Sequence, residues 1–138
     1  MSGRLSVAHA RLGAMDFRLE LVPIPVTDVD RAKDFYEHRL GFHVDHDVSF
    51  GEEFRVIQVT PPGSACSIAF GKGVIDTAPG SVRMLHLVVD DIEAARDALV
   101  GRGVEVDAVE KMSAEGRPDV FYARFADPDG NTWTLQKF

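Results

Sequence analysis

His86 is the side chain best suited to acid or base chemistry in this chain, because imidazole titrates near neutral pH. It lies in the apolar run MLHLVV at 84–89, which predicts a strand, and on that strand it shares one face with Met84 and Val88. Two interpretations stay open for it: a general base or hydrogen-bond partner for a ligand, or a packed histidine bonded to a neighbouring carbonyl oxygen. No acidic partner can be assigned to it from the sequence.

A second group of possible metal ligands lies in the segment FHVDHDV at 42–48. Its alternation predicts a strand on which His43, Asp45 and Asp47 share one face while His46 lies on the other. Only part of the set could then converge on one ion. We therefore interpret the segment as a solvated strand face rather than a metal site.

The other reactive or aromatic side chains have ordinary structural interpretations. Cys66 is the only cysteine, so no internal disulfide can form, and we expect a small core residue in a cytoplasmic protein. His9 is expected in an N-terminal tail and Trp133 in the core. Tyr122 and Arg124 share one strand face, where they could hold a ligand carboxylate or hydroxyl, although an exposed outer face is equally consistent.

Two copies of one helix start must position these side chains. VTDVDRAKDFY at 26–36 and VDDIEAARDAL at 89–99 each follow an apolar run with a polar cap residue and, three positions on, an acidic residue. These pairs are Thr27 with Asp30 and Asp90 with Glu93. Apolar residues then recur at helical spacing. Each helix is predicted to end near a glycine, Gly41 or Gly103, that can adopt a left-handed conformation.

Runs with strand-like alternation surround the two helices. They are 17–26, 42–48, 54–60 and 66–70 in the first half and 84–89, 104–109, 120–126 and 132–138 in the second. The glycine- and proline-rich segment 71–83 predicts a linker, and the polar segment 111–119 predicts a loop that could cover a ligand. The sequence therefore predicts an α+β domain of two βαβββ modules, 17–70 and 84–138, with residues 1–14 as a disordered extension.

Composition restricts the classes of function. The net charge of −7, without a run rich in lysine or arginine, argues against nucleic acid or an anionic membrane as a partner. No apolar run is long enough to cross a bilayer. We expect a soluble domain.

These motifs resemble the vicinal oxygen chelate superfamily, which includes glyoxalase I, extradiol dioxygenases, fosfomycin-resistance enzymes and bleomycin-binding proteins. The resemblance covers nearly all of residues 17–138 and rests on VTDVDRAKDFYEHRLGF at 26–42, VDDIEAARDALVGRGV at 89–104 and FADPDGNTWTLQ at 125–136. It implies that the strands of both modules curl into a cup-shaped mixed sheet with the helices outside. It also implies a homodimer.

The resemblance further identifies the positions at which relatives carry metal ligands. Here these positions hold Leu21, Met84 and Thr134, and the fourth falls within 67–70, which contains neither a carboxylate nor an imidazole. A divalent metal needs three or four nitrogen, oxygen or thiolate donors at about 2.0–2.3 Å. We therefore expect no metal or other cofactor, and an apolar pocket for an organic molecule instead.

The expected function is a metal-independent small-molecule-binding protein of the glyoxalase/bleomycin-resistance type that sequesters an antibiotic or natural product. The residues expected to line the cup share its strand faces: Leu21, Pro23, Met84, His86, Val88, Thr134 and Gln136. The alternative is a metal-free isomerase, cyclase or lyase in which His86 is the catalytic acid or base. A metalloenzyme with displaced ligands, such as His46 and His86, is the least favoured hypothesis.

Overall fold

The computed structural model describes residues 15–138, so the predicted extension 1–14, with His9, lies outside the described residues. The elements are β1 (Leu21–Pro23), α1 (Val29–Asp34) continuing into a π-helical segment (Phe35–Arg39), β2 (His43–Phe50), β3 (Phe54–Thr60), β4 (Ser67–Lys72), β5 (Leu85–Val88), α2 (Ile92–Gly101), β6 (Glu110–Met112), β7 (Val120–Ala126) and β8 (Thr132–Lys137). They form two four-stranded mixed sheets, ordered β1-β4-β3-β2 and β5-β8-β7-β6. The predicted α+β class with two βαβββ modules is confirmed. None of the helices within 15–138 is long and apolar enough to span a membrane.

Each helix has its N-cap residue one position later than predicted. The N-cap residues are Asp28 and Asp91, and each carboxylate accepts an amide hydrogen bond of 3.0 Å from the residue three positions on. The prediction of Thr27 and Asp90 as caps is wrong. The Thr27 hydroxyl instead donates to Asp129 Oδ1 at 2.6 Å, so it joins the start of α1 to the second module.

The ends of the two helices contact each other's modules. Each end is followed by a glycine with positive φ, as predicted: +77° at Gly41 and +88° at Gly103. A β-carbon at Gly41 would lie 3.1 Å from Arg102 Nη1, and one at Gly103 would lie 2.7 Å from Arg39 Nη1. Arg39 of the first module therefore lies over Gly103 of the second, and Arg102 of the second lies over Gly41 of the first.

The strand predicted at 104–109 is wrong, since β6 is Glu110–Met112. The alternation that suggested a strand is real, because the valines of this segment are largely buried. However, the carbonyl oxygens of Val106 and Asp107 accept hydrogen bonds from the Arg96 guanidinium, at 2.9 and 2.8 Å. A side chain on α2 thus satisfies the backbone groups that a neighbouring strand would otherwise bind.

A buried hydrogen-bonded cluster joins the two modules at the centre of one shared core. The Tyr36 hydroxyl donates to Asp127 Oδ2 at 2.7 Å and accepts from Trp133 Nε1 at 3.0 Å. Asp127 also accepts from the Asn131 side chain and from two backbone amides, at 2.8–2.9 Å. Burial, reinforced by the adjacent Asp127, raises the pKa of the Tyr36 phenol well above its ordinary value. The first helix and the β7–β8 turn are thereby fixed together.

Candidate functional site

The candidate site is the face of the second sheet that carries no helix, which we call the open face. Residues directly opposite on paired strands point to the same side of a sheet. The open face carries two rows of side chains in register: His86, Thr134 and Arg124, then Val88, Gln136, Tyr122 and Glu110. The other side of the same strands holds the core residues Leu135, Phe125 and Trp133.

Thr134 lies at the middle of the first row, on the central strand β8. It is 1% exposed, and its hydroxyl has no hydrogen-bond partner among the described residues. A buried hydroxyl without a partner is uncommon, because leaving it unpaired costs about 1–3 kcal/mol. His86 and Arg124 lie on either side of it. The arrangement leaves one buried polar atom of this row without a partner among the described residues.

His86 is held in one orientation and one tautomer. Its Nδ1 lies 2.7 Å from the carbonyl oxygen of Met84, which can only accept, so Nδ1 carries the proton in the neutral ring. Nε2 then has a free lone pair. The ring also meets Tyr122 edge-on, with 6.2 Å between centroids. Both earlier interpretations therefore apply in part: the ring is bonded to a neighbouring carbonyl, and it still presents an acceptor.

Met84 stores backbone strain at the start of β5. Its φ of +62° is positive, and it is the only residue other than glycine for which this is so within 15–138. Such a conformation costs a residue with a side chain on the order of 1–3 kcal/mol. Two hydrogen bonds keep it in place: the Met84 amide donates to Thr132 Oγ1 at 2.7 Å, and its carbonyl accepts from His86.

Arg124 forms an ion pair with Glu110, with Nη1 and Oε2 3.2 Å apart. The two side chains are 43% and 63% exposed, so the pair contributes little to stability. Sequence reasoning placed Arg124 on the same face as Tyr122, which is correct. The sequence did not identify Glu110 as a neighbour of Arg124, because the strand that carries Glu110 was expected at 104–109.

Two cavities open beside these strands, and both have a volume suited to a small organic molecule. The larger, of about 930 Å³, has Met84, Thr134 and Arg124 in its wall. The smaller, of about 510 Å³, has His86 and Val88 in its wall. Four of the predicted lining residues of the second module are thus divided between the two cavities, whereas Gln136 lines neither.

Leu21 and Pro23 lie on the other sheet, where they pair with Ser67 and Ala69. They line neither of the two cavities described above. Their neighbours on that face are polar: the Ser67 hydroxyl lies 2.7 Å from the Thr60 hydroxyl, which also bonds to a carboxylate on β2. The helix-free face of the first sheet at these residues therefore lies outside both cavities.

The histidine and aspartate segment on β2 differs from its prediction. A β-bulge between Val44 and His46 adds one residue and shifts the alternation that follows. His46 therefore shares the open face of the first sheet with His43 and Asp45, and the prediction that separated them is wrong. Asp47 lies on the helix side, where an arginine and a lysine bond to it. The arginine above all lowers the pKa of the Asp47 carboxyl well below its ordinary value.

The positions at which the resemblance implies metal ligands do not fit a divalent metal. Leu21 has no donor atom, and the Met84 thioether and Thr134 hydroxyl are poor donors to such ions. Nor does the described part of the chain contain a group of three or more histidine, cysteine, aspartate or glutamate side chains that could hold one.

Comparison with known proteins gives consistent results. The profile of the Glyoxalase/Bleomycin resistance protein/Dioxygenase superfamily matches residues 14–135. Among solved structures, TnmS3, an antibiotic binding protein from Streptomyces sp. CB03234, is 36% identical, with 90% of this chain and 98% of that one covered and a TM-score of 0.74. A glyoxalase/bleomycin resistance protein from the same organism is 36% identical, with 86% and 98% covered and a TM-score of 0.68. A superfamily member from Sphaerobacter thermophilus DSM 20745 is 28% identical, with 91% and 100% covered and a TM-score of 0.74. No curated protein matches the chain.

Proposed function

Because the chain belongs to the glyoxalase/bleomycin resistance protein/dioxygenase superfamily, we propose that it is a metal-independent protein that binds and sequesters an antibiotic or other small natural product. The observation that carries this proposal is the buried, unpartnered hydroxyl of Thr134, a residue that contributes to the wall of the larger cavity. A ligand atom would supply the missing hydrogen bond.

Three further observations support the proposal. The similar protein TnmS3 is described as antibiotic binding, and the likeness extends over 90% of this chain. Metal independence is supported by the side chains at Leu21, Met84 and Thr134, which are unsuited to hold a divalent ion. The open face offers such a ligand an acceptor at His86 and a cation at Arg124.

Replacing Thr134 with valine is expected to separate ligand binding from folding. The substitution removes an unpaired hydroxyl, so the free energy of unfolding should stay the same or rise by up to about 1 kcal/mol. Affinity for a ligand that uses the hydroxyl should fall about tenfold. Titration of a panel of polycyclic natural products, followed by fluorescence of the only tryptophan, Trp133, measures the second effect.

Thr132→Val is the matched control, because Thr132 lies on the same strand and face but its hydroxyl accepts the Met84 amide. That variant should lose about 1 kcal/mol of stability. If Thr134→Val is destabilised as much as the control, or if no compound in the panel binds saturably, the proposal fails.

We propose that a second copy of the chain completes the cup. We also propose a cytoplasmic location, because the chain has a single cysteine. Large apolar side chains are exposed on the helix-free faces of both sheets: Phe50 at 64%, Val88 at 63% and Met112 at 59%. Exposed apolar surface of this kind marks contact with a partner. A mass of one chain by light scattering at micromolar concentration would contradict the dimer.

The second candidate function is a metal-free isomerase, cyclase or lyase with His86 as its base. The observation that favours it is the Nδ1 hydrogen bond to Met84, which leaves Nε2 free to take a proton. In an active preparation, His86→Ala should lower turnover by about 10²- to 10⁴-fold without loss of the fold. Turnover equal to that of the unmodified protein would remove His86 from the mechanism.

A further inference from the structure

We infer that the ligand of the larger cavity carries a carboxylate on an otherwise apolar skeleton, an inference that rests on the proposed function. The wall of this cavity contains three arginines, Arg39, Arg83 and Arg124. The chain as a whole carries a net charge of −7. Guanidinium groups that no carboxylate of the protein occupies can bind an anionic ligand.

The same wall also contains three acidic side chains, so its formal charge is balanced, but these carboxylates are not paired with the arginines. Asp127 is committed to four hydrogen bonds in the core. Glu105 and Asp107 also line the cavity, but within residues 15–138 neither forms an ion pair with Arg39, Arg83 or Arg124. Arg39 and Arg83 have no ion pair at all in that part of the chain, so their charge is available.

Arg124 and Thr134 provide the geometry that a carboxylate needs. They are directly opposite on β7 and β8, so their side chains are neighbours on one face. A guanidinium binds a carboxylate through charge-assisted hydrogen bonds, and the unpaired Thr134 hydroxyl can donate one more. The apolar residues of the wall on this side, Met84 and Ala126, suit a hydrocarbon or aromatic skeleton.

In this arrangement Glu110 and the ligand carboxylate compete for the guanidinium of Arg124. Its carboxylate holds Arg124 at 3.2 Å, and both side chains are exposed enough to separate at small cost. A bound carboxylate would take the place of Glu110 on the guanidinium. Removing the negative charge of Glu110 should therefore strengthen binding of an acid, whereas removing the charge of Arg124 should weaken it.

The experiment compares pyrene carboxylate with pyrene carboxamide, which share one ring system and differ in charge. Binding of each probe to the full chain is followed by fluorescence at neutral pH. We expect the acid to bind the more tightly, Arg124→Met to weaken the acid by at least about tenfold, and Glu110→Gln to strengthen it about two- to fivefold. The amide should change less than about twofold in both variants.

Arg18→Met controls for the loss of one positive charge, since this side chain is 85% exposed and lies outside the cavity wall. It should leave the affinity of the acid unchanged. If acid and amide bind equally and only Thr134→Val weakens them, the carboxylate inference is overturned while the proposed function stands. A similar loss in Arg18→Met and Arg124→Met also overturns the inference. If neither probe binds at millimolar concentration, both proposals are overturned.

Discussion

Replacing Asp127 with alanine is expected to lower the free energy of unfolding by about 3–5 kcal/mol, a large part of the stability of a domain of this size. Its carboxylate is 6% exposed and accepts hydrogen bonds from the Tyr36 hydroxyl, the Asn131 side chain and the amides of Asp129 and Asn131. Without it these donors would be buried and unpaired, since the alanine side chain offers no acceptor.

Urea unfolding followed by circular dichroism measures this effect. Tyr36→Phe is a milder variant that keeps Asp127 and removes one of its donors, with an expected loss of about 1–3 kcal/mol if the first variant does not fold. Asp119→Ala is the matched control, because Asp119 is exposed and accepts one hydrogen bond, from Ser113. It should change stability by no more than about 0.5 kcal/mol. Equal losses in Asp127→Ala and Asp119→Ala would show that the buried cluster does not hold the modules together.

Gly71→Ala is expected to have the second largest effect, a loss of roughly 3 kcal/mol. Gly71 pairs with Val56 across β3 and β4. A β-carbon at this position would lie 1.8 Å from the backbone carbonyl oxygen of Arg55, a distance at which atoms overlap. The two strands would have to move apart, and neither can do so without disturbing the first sheet.

Gly63→Ala separates this overlap from the ordinary strain of a left-handed residue. Gly63 has a φ of +81° and nothing within 4 Å of an added β-carbon, so its substitution should cost only about 1 kcal/mol. The midpoints of thermal unfolding of the two variants give the comparison. A loss in Gly71→Ala no larger than in Gly63→Ala would mean that the strands adjust freely.

The sequence predicted those parts of the fold that depend on local patterns. The strands expected at 54–60 and 120–126 coincide with β3 and β7, because turn signals bound their alternation. The strand expected at 17–26 is reduced to Leu21–Pro23. Pro23 ends that pairing and Pro25 follows it, and a proline cannot donate a backbone hydrogen bond. The segment 104–109 alternates as a strand does, yet a distant arginine binds its carbonyl groups, which no local pattern reveals.

The candidate site could be predicted only as far as strand faces could be assigned. Alternation on β8 placed Thr134 on the side away from Trp133, and the pairing of the strands adds Arg124, whose side had been left open, to the same face. The bulge in β2 reversed the assignment of His46, because one inserted residue exchanges the two faces of a strand. The unpaired state of the Thr134 hydroxyl depends on every neighbour in three dimensions, so no reading of the sequence could have supplied it.

The crossed arginines at the helix ends have a consequence for how such a chain can change over generations. Arg102 occupies the space beside Gly41, and Arg39 occupies the space beside Gly103. The side chains at each helix end therefore fit the opposite half. Each arginine meets its glycine through the end of a flexible side chain, which can shift, whereas the positive φ of Gly41 and Gly103 favours glycine at both positions. Exchange of one half with that of a relative separates both pairs, so it should succeed only when the incoming half carries an equivalent glycine and an arginine that fit the half that stays.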